Sequence, residues 1–433
     1  MAFDPQAQEL NESIRSANPH VFNLLSERGK AIYFPRQGIL SQTAEARGKK
    51  INATIGTALE DNGFPMILES LDSLLNLKHK EGFSYAPSFG RPEIRKIWKD
   101  LMYRKNPSLK GKEFSLPIVT CALTHGLSMA GYLFVNENER VICPDLFWEN
   151  YQLIFNNAYH GKIDSYPTFV DNCRFNIEGL RSKIQESGIG KKIVILNFPN
   201  NPTGYTVTVQ EAEEIRKILV EEADRGSEIV VFIDDAYFGL VFEQGILEES
   251  MFSLLADAHE RILAVKFDGP TKEDYVWGFR VGFVTFATKL NSDALYSALE
   301  EKTAGAIRGN ISNASNIAQT LLLAAYSNAA YNDEKAKKYS ILKRRYEKIR
   351  QLLSLHPEYY DYFSPLPFNS GYFMCVKVKC GDAERVRRVL LDKYDTGIVA
   401  QKDLIRIAFS STPLNSIEML LENIYQAAKE CTH

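Results

Sequence analysis

Apolar, β-branched runs alternate with charged stretches of helical period through the middle of this chain. The runs are IVILN (193–197), EIVVFIDD (228–235), RILAVKF (261–267) and RVGFVTF (280–286), and EAEEIRKILVEEADR (211–225) typifies the stretches between them. Such alternation confines the chain to βαβ units around a mainly parallel sheet. Because the runs are apolar on successive residues, neither sheet face is wet, and helices must cover both. Thr208 followed by Glu211 is a capping-box pattern marking the start of the helical stretch. The predicted class is therefore α/β.

At 433 residues the chain exceeds one compact core. Lysine, arginine and tyrosine recur on a helical period in NDEKAKKYSILKRRYEKIRQLL, and strand-like GYFMCVKV and LIRIAFS follow. This predicts a long connecting helix leading into a smaller α+β domain. The expected organisation is an N-terminal arm contributing to the small domain (1–65), a large sheet domain (66–325) and a C-terminal small domain (326–433). No internal repeat is visible.

Fifty-one Lys and Arg against 54 Asp and Glu leave a formal charge of −3, too weak a basic field for nucleic acid or an anionic membrane. The opening MAFDPQAQELNESIRS lacks a charged segment followed by an apolar one, and no run of about 18 apolar residues occurs, so neither export nor a membrane span is expected. The six cysteines (121, 143, 173, 375, 380, 431) form no CxxC pair, which suits reduced thiols in the cytoplasm. Seven scattered histidines offer no metal-site spacing. GIGK at 188–191 precedes a strand instead of following one, so it reads as a turn and not as a phosphate loop.

Three segments carry chemistry. NFPNNPTG (197–204) follows a buried strand, where open α/β sheets bind ligands. FIDDAYFGL (232–240) ends a strand in Asp234 and Asp235, which repel each other unless one has a cationic partner, with Tyr237 just beyond. GPTKEDYVWGFRVGF (269–283) puts Lys272 after a strand and Arg280 at the head of the next. A lysine there can condense with an aldehyde, and an arginine can clamp a phosphate.

In this order and spacing the segments resemble fold-type I, class I/II aminotransferases, over about residues 50–410. The resemblance implies pyridoxal 5′-phosphate as cofactor, a Schiff base at Lys272, Asp234 on the pyridine nitrogen, Tyr237 and Asn201 on the ring oxygen, and Arg280 on the phosphate. VICPDLFWENY (141–151) resembles the segment whose aromatic stacks on the ring, which points to Trp148. ALTHGLSMAG (122–131) resembles the phosphate turn at a helix start, with Leu127 and Ser128 as donors, or Thr124 or His125 in a neighbouring register. Tyr85 in FSYAPSFGRPEIR matches a tyrosine that reaches a partner's phosphate, implying a homodimer with shared sites. Gly56 in INATIGTALEDNG matches the substrate loop, where backbone approaches the ligand closely. Arg406 in LIRIAFSS takes the substrate α-carboxylate. The sequence departs from the family at Gly269, where a phosphate-binding serine is usual; Thr271 or the Ser128 turn is expected to compensate.

The implied reaction moves an amino group from an L-amino acid to a 2-oxo acid, with the ring as electron sink and Lys272 as proton carrier. AIRGNISNAS (306–315) resembles the segment whose arginine, from the partner chain, binds a side-chain carboxylate in aspartate aminotransferases. Arg308 therefore favours an acidic donor, with aromatic or broad specificity as the alternative. A lyase or decarboxylase on the same scaffold would keep all these residues. A transcription regulator of this fold would need a basic DNA-binding domain ahead of residue 50, and no such text is present.

Overall fold

The computed structural model describes residues 3–17, 39–54, 56–72, 84–171 and 173–432. Part of the expected N-terminal arm, residues 18–38, lies outside them.

Every apolar run becomes a strand. β1 is Ile51–Asn52, β2 Ile118–Thr120, β3 Arg140–Pro144 and β4 Lys162–Tyr166; β5 (Phe169–Val170) and β6 (Arg174–Phe175) form a small hairpin. β7 (Lys191–Asn197), β8 (Glu228–Asp234), β9 (Ile262–Asp268) and β10 (Gly282–Ala287) follow. One seven-stranded sheet runs β2-β10-β9-β8-β7-β3-β4. Its pairings are parallel from β9 to β4, and only β10 runs against its neighbours. Along β8 the side chains alternate between two buried layers. Val231 and Ile233 join one core, Val230 and Phe232 the other. Burying each such side chain contributes roughly 1.5–3 kcal/mol relative to exposure, so the absence of polar alternation in these runs reflects helices on both faces.

The capping box forms as read: Thr208 Oγ accepts from Glu211 N at 3.1 Å, and Glu211 Oε2 from Thr208 N at 2.8 Å. GIGK is a turn into β7, with Gly188 and Gly190 at φ +68 and +151.

The connecting helix spans Tyr331–Leu355. Beyond it, β11 (Phe363–Pro365), β12 (Phe373–Val378), β14 (Val399–Gln401) and β15 (Leu404–Ala408) form an antiparallel sheet in the order β11-β12-β15-β14. β13 (Thr396–Gly397) instead pairs in parallel with β1, Ile51 opposite Thr396, so the N-terminal segment completes the C-terminal layer. Among the described residues no helix is long and apolar enough to cross a membrane, and no His, Cys, Asp and Glu side chains gather to hold a metal ion.

Candidate active site

Since β2, β9, β8, β7 and β3 share one direction, their C-terminal ends fall along one sheet edge, where the register sets Asn197 beside Asp234 and Asp234 beside Phe267. The turns that follow these strands meet there, the usual ligand position in open α/β sheets. A cavity of about 240 Å³ opens at that edge, lined by Ala122, Leu123, Thr124, Trp148, Asn197, Asn201, Asp234, Ala236, Tyr237, Thr271, Lys272 and Arg280. Eight of the residues singled out in the sequence, counting Thr124 and Thr271, thus meet around one space.

The two adjacent acids have different partners. Asp235 pairs with the buried Lys266, which also contacts Asp268 at 3.3 Å, and accepts from Ser250 Oγ at 2.5 Å. Burial alone would lower Lys266, but Asp235 and Asp268 together push it above its ordinary value, so it stays charged. Asp234 has only neutral donors, Tyr151 Oη at 2.6 Å and Ala236 N at 3.1 Å. Burial raises its carboxyl against the pull of Tyr151 and Lys272. One acid is thus neutralised within the protein, and the other faces the cavity.

Lys272 lies in the short helical turn Pro270–Glu273, and Tyr372 Oη donates to its carbonyl at 3.0 Å. Its Nζ sits 5.0 Å from the centroid of the Tyr237 ring. Burial lowers its pKa to about 8, with Asp234 opposing the shift and Arg280 adding to it. A fraction of the amine is therefore neutral, and so nucleophilic, near neutral pH. Among the described residues no hydrogen bond occupies the Tyr237 hydroxyl.

Gly269 has a steric cause. A Cβ there would lie 2.9 Å from both Gly282 Cα and Val281 O, and one on Gly282 would lie 2.6 Å from the carbonyl carbon of Ala122. The backbones approach too closely for a serine, which accounts for the departure from the usual pattern. Thr271 lines the cavity instead. Arg280 adopts left-handed φ/ψ of 54 and 49, and Ala122 a φ of +63. Non-glycine residues held in that region commonly mark functional sites.

The helix Ala122–Phe134 carries the segment expected to form the phosphate turn. Leu127 and Ser128 lie in its second turn, where amides bond within the helix. Leu127 is fully buried, and Ser128 Oγ is 3.0 Å from Tyr159 Oη; neither lines the cavity. Thr124, in the first turn, does. His125 points back, accepting from Cys121 N on Nδ1 at 3.1 Å.

Trp148 and Asn201 also border a second, adjoining bay with Arg406. Arg406, on β15, is 6% exposed. It donates to Asn201 Oδ1 at 3.3 Å and Thr54 O at 3.1 Å, and its guanidinium carbon stands 4.4 Å from the Phe373 ring centroid. Its Nε has no partner, and among the described residues no carboxylate forms an ion pair with it. A buried guanidinium with a free N–H is built for an anion that arrives with a ligand.

Three expected residues lie elsewhere. Tyr85 is 91% exposed and Arg308 is exposed at the end of the helix Asp293–Asn310; neither lines the cavity. Gly56 does not line it either. A Cβ there would make an ordinary 3.6 Å contact with Phe373, so the protein itself does not demand glycine. Sequence reading missed Tyr151, Lys266 and Tyr372. Only Tyr151 left a signal, as a second aromatic three residues after Trp148.

These residues fit the cofactor that the resemblance implies. A phosphorylated pyridine aldehyde needs an amine, a carboxylate for its ring nitrogen, an unoccupied phenol, an aromatic wall and cationic and N–H groups for phosphate. The cavity has Lys272, Asp234, Tyr237, Trp148, and Arg280 with Thr124 and Thr271.

A family model described as aminotransferase class I and II matches residues 49–424. An aspartate aminotransferase of Bacillus sp. (strain YM-2) is 23% identical over 406 residues, covering 90% of this chain and 96% of that one. Among solved structures, an aminotransferase from Anaerococcus prevotii matches with a TM-score of 0.83 at 23% identity, over 93% of this chain and 98% of that one. Thermus thermophilus aspartate aminotransferase with maleate matches with a TM-score of 0.72 at 19% identity, over 93% and 99% of the two chains. These structural likenesses are likenesses of fold.

Proposed function

This chain belongs to the class I and II aminotransferases and uses pyridoxal 5′-phosphate; we propose that it takes an acidic L-amino acid as donor and a 2-oxo acid as acceptor. The observation that carries the substrate end of this reading is Arg406, a buried cation with no ion-pair partner among the described residues. An α-carboxylate is the anion that every amino acid and 2-oxo acid brings.

Bound at Lys272, the cofactor supplies an aldehyde to which amines add and a ring that accepts the electron pair released when a substrate Cα loses its proton. The chain's residues do the rest. Asp234 holds negative charge at the ring nitrogen, and Tyr151 and Ala236 N orient it. Tyr237 Oη and Asn201 Nδ2 donate to the ring oxygen, and Trp148 covers a face. Arg280, Thr124 and Thr271 take the phosphate. Arg406 would fix the carboxylate with Cα toward Lys272, whose Nζ would take the proton from Cα and deliver it to the cofactor carbon that had been the aldehyde. With its pKa near 8, that amine exchanges protons in both directions at neutral pH.

The acidic preference rests on Arg308. Its exposure, like that of Tyr85, suits a residue that serves the site of a second copy, and Gly56 beside Phe373 completes the wall near Arg406. Glu149, at the rim of the Arg406 bay and held by Gln401 Nε2 at 3.0 Å, repels a second carboxylate, so Arg308 of the other copy has to outweigh it. We further read the chain as divided near residues 65 and 325, and, from six unpaired thiols, as working in the cytoplasm.

Adding single amino acids to the loaded enzyme tests the donor. Loss of the cofactor's aldehyde band with aspartate and glutamate, but not with phenylalanine or alanine, is expected, and Arg308→Ala should abolish the difference. An equal response to all four would overturn the acidic assignment.

A further inference from the structure

The turn that presents Lys272 runs directly into two acids facing away from the cavity. The side chains of Glu273 and Asp274 are only 8% and 1% exposed. Glu273 Oε1 meets Lys105 Nζ at 2.6 Å, from the end of the helix Pro92–Lys105, and Lys335 Nζ at 2.8 Å. Asp274 Oδ1 meets the same Lys335 Nζ at 2.9 Å and accepts from Tyr331 Oη at 2.6 Å, while its Oδ2 accepts from Tyr326 Oη at 2.9 Å. Lys335 therefore bridges both acids. It stands in the second turn of Tyr331–Leu355, the helix that leads into the C-terminal sheet.

Buried ion pairs contribute little net stability compared with apolar packing of the same volume; what they do well is fix one geometry. Here the geometry fixed is that of the two residues immediately after Lys272. Tyr372, at the entry to β12, holds the Lys272 carbonyl from the other side. The catalytic turn is thus clamped twice by the C-terminal third of the chain.

Reading Lys272 as the cofactor-bearing amine, we propose that Lys335 is a positioning residue, setting the place of Lys272 Nζ by clamping Glu273 and Asp274. Lys335 touches neither cavity nor ligand. The groups that face Lys272 Nζ directly are Asp234, Tyr237 and Arg280, and the groups acting on Lys335 are Asp274, Glu273 and Tyr331.

The test compares Lys335→Met, Lys335→Gln and Lys335→Arg with the unaltered protein by two readouts. In the apoenzyme, acetylation at Lys272 is followed by mass spectrometry across pH. Loss of the Lys335 charge leaves two buried anions short of a counter-charge, so the Lys272 midpoint should rise by about half to one unit in the Met and Gln variants. In the loaded enzyme, kcat should fall about 10–100-fold with KM for the donor within about twofold, and Lys335→Arg should recover most of it. If the Met variant fails to fold, the Gln variant, which keeps donors and bulk, carries both measurements. An unchanged midpoint with unchanged kcat overturns the proposal, even if the melting temperature falls. A wild-type protein that forms no coloured adduct at Lys272 would sink the site reading instead, and the apoenzyme midpoint would still report on Lys335.

Discussion

Tyr151 Oη donates to Asp234 Oδ2 at 2.6 Å across 83 residues of sequence, so a phenol steadies a carboxylate that faces the cavity. Burial already raises that carboxyl, and the phenol counters it. Tyr151→Phe removes a hydrogen bond to a charged group worth about 1.5–3 kcal/mol. The acid limb of the kcat–pH profile should move to higher pH by roughly one unit. An unmoved limb would mean that Asp234 does not govern it.

Lys272 offers a second pH signature. With its pKa lowered to about 8, acetylation of this residue in the apoenzyme should climb with pH and level off near 8, whereas an ordinary lysine keeps gaining to about 10.4. Lys272→Ala should lose the aldehyde band and at least about 10²–10⁴-fold of the amine-transfer rate.

Among the described residues Arg406 forms no ion pair, so replacing it should break no salt bridge. Arg406→Lys loses the bidentate fork and should lower kcat/KM for every donor by about 10²-fold, mostly through KM. Steady-state kinetics with two chemically different donors checks this; a loss confined to one donor would place Arg406 at the side chain, not the α-carboxylate.

Gly269→Ser restores the residue usual in relatives, yet it should do harm. Its Cβ meets two backbones at 2.9 Å. Overpacking of that kind costs about 1–3 kcal/mol, readable as a lower urea midpoint with weaker cofactor binding. Tighter cofactor binding at unchanged stability would show that the junction can open.

Glu273 governs acid tolerance. Burial would raise its carboxyl, but Lys105 and Lys335 overcome that and hold it at about 2, below its ordinary 4.5. A depressed acid contributes stability above its unfolded pKa and loses it as pH falls through the folded one, so that contribution should disappear as pH falls below about 4.5. Glu273→Gln should be less stable at pH 7 and lose the slope in that window, as urea unfolding across pH would show.

The strands, the capped helix and the order of the site segments were legible because each is local: periodicity, a three-residue capping spacing, a short motif. What escaped is long-range. Lys266 reads as one polar residue in an apolar run, and only the pairing of β8 with β9 brings it to Asp235. The motif gives the helix but not its first turn, which begins at Ala122 with its left-handed φ, so sequence alone points to Leu127 and Ser128 where the cavity has Thr124. Gly269 looked like a missing function, and the approach of Gly282 that requires it lies 13 residues away in sequence.

The pairing of Ile51 with Thr396 sets a timetable for the ribosome. β1 and the Thr54 carbonyl that braces Arg406 emerge some 345 residues before the strand they join. At synthesis rates of ~5–20 residues per second, they wait roughly 20–70 s without their partner. The large sheet can form during that interval, but Arg406, the residue proposed to hold the substrate carboxylate, cannot be braced by Thr54 until it too has been made. Nascent chains cut short before β13 should therefore bear the cofactor cavity without a finished grip on its substrate.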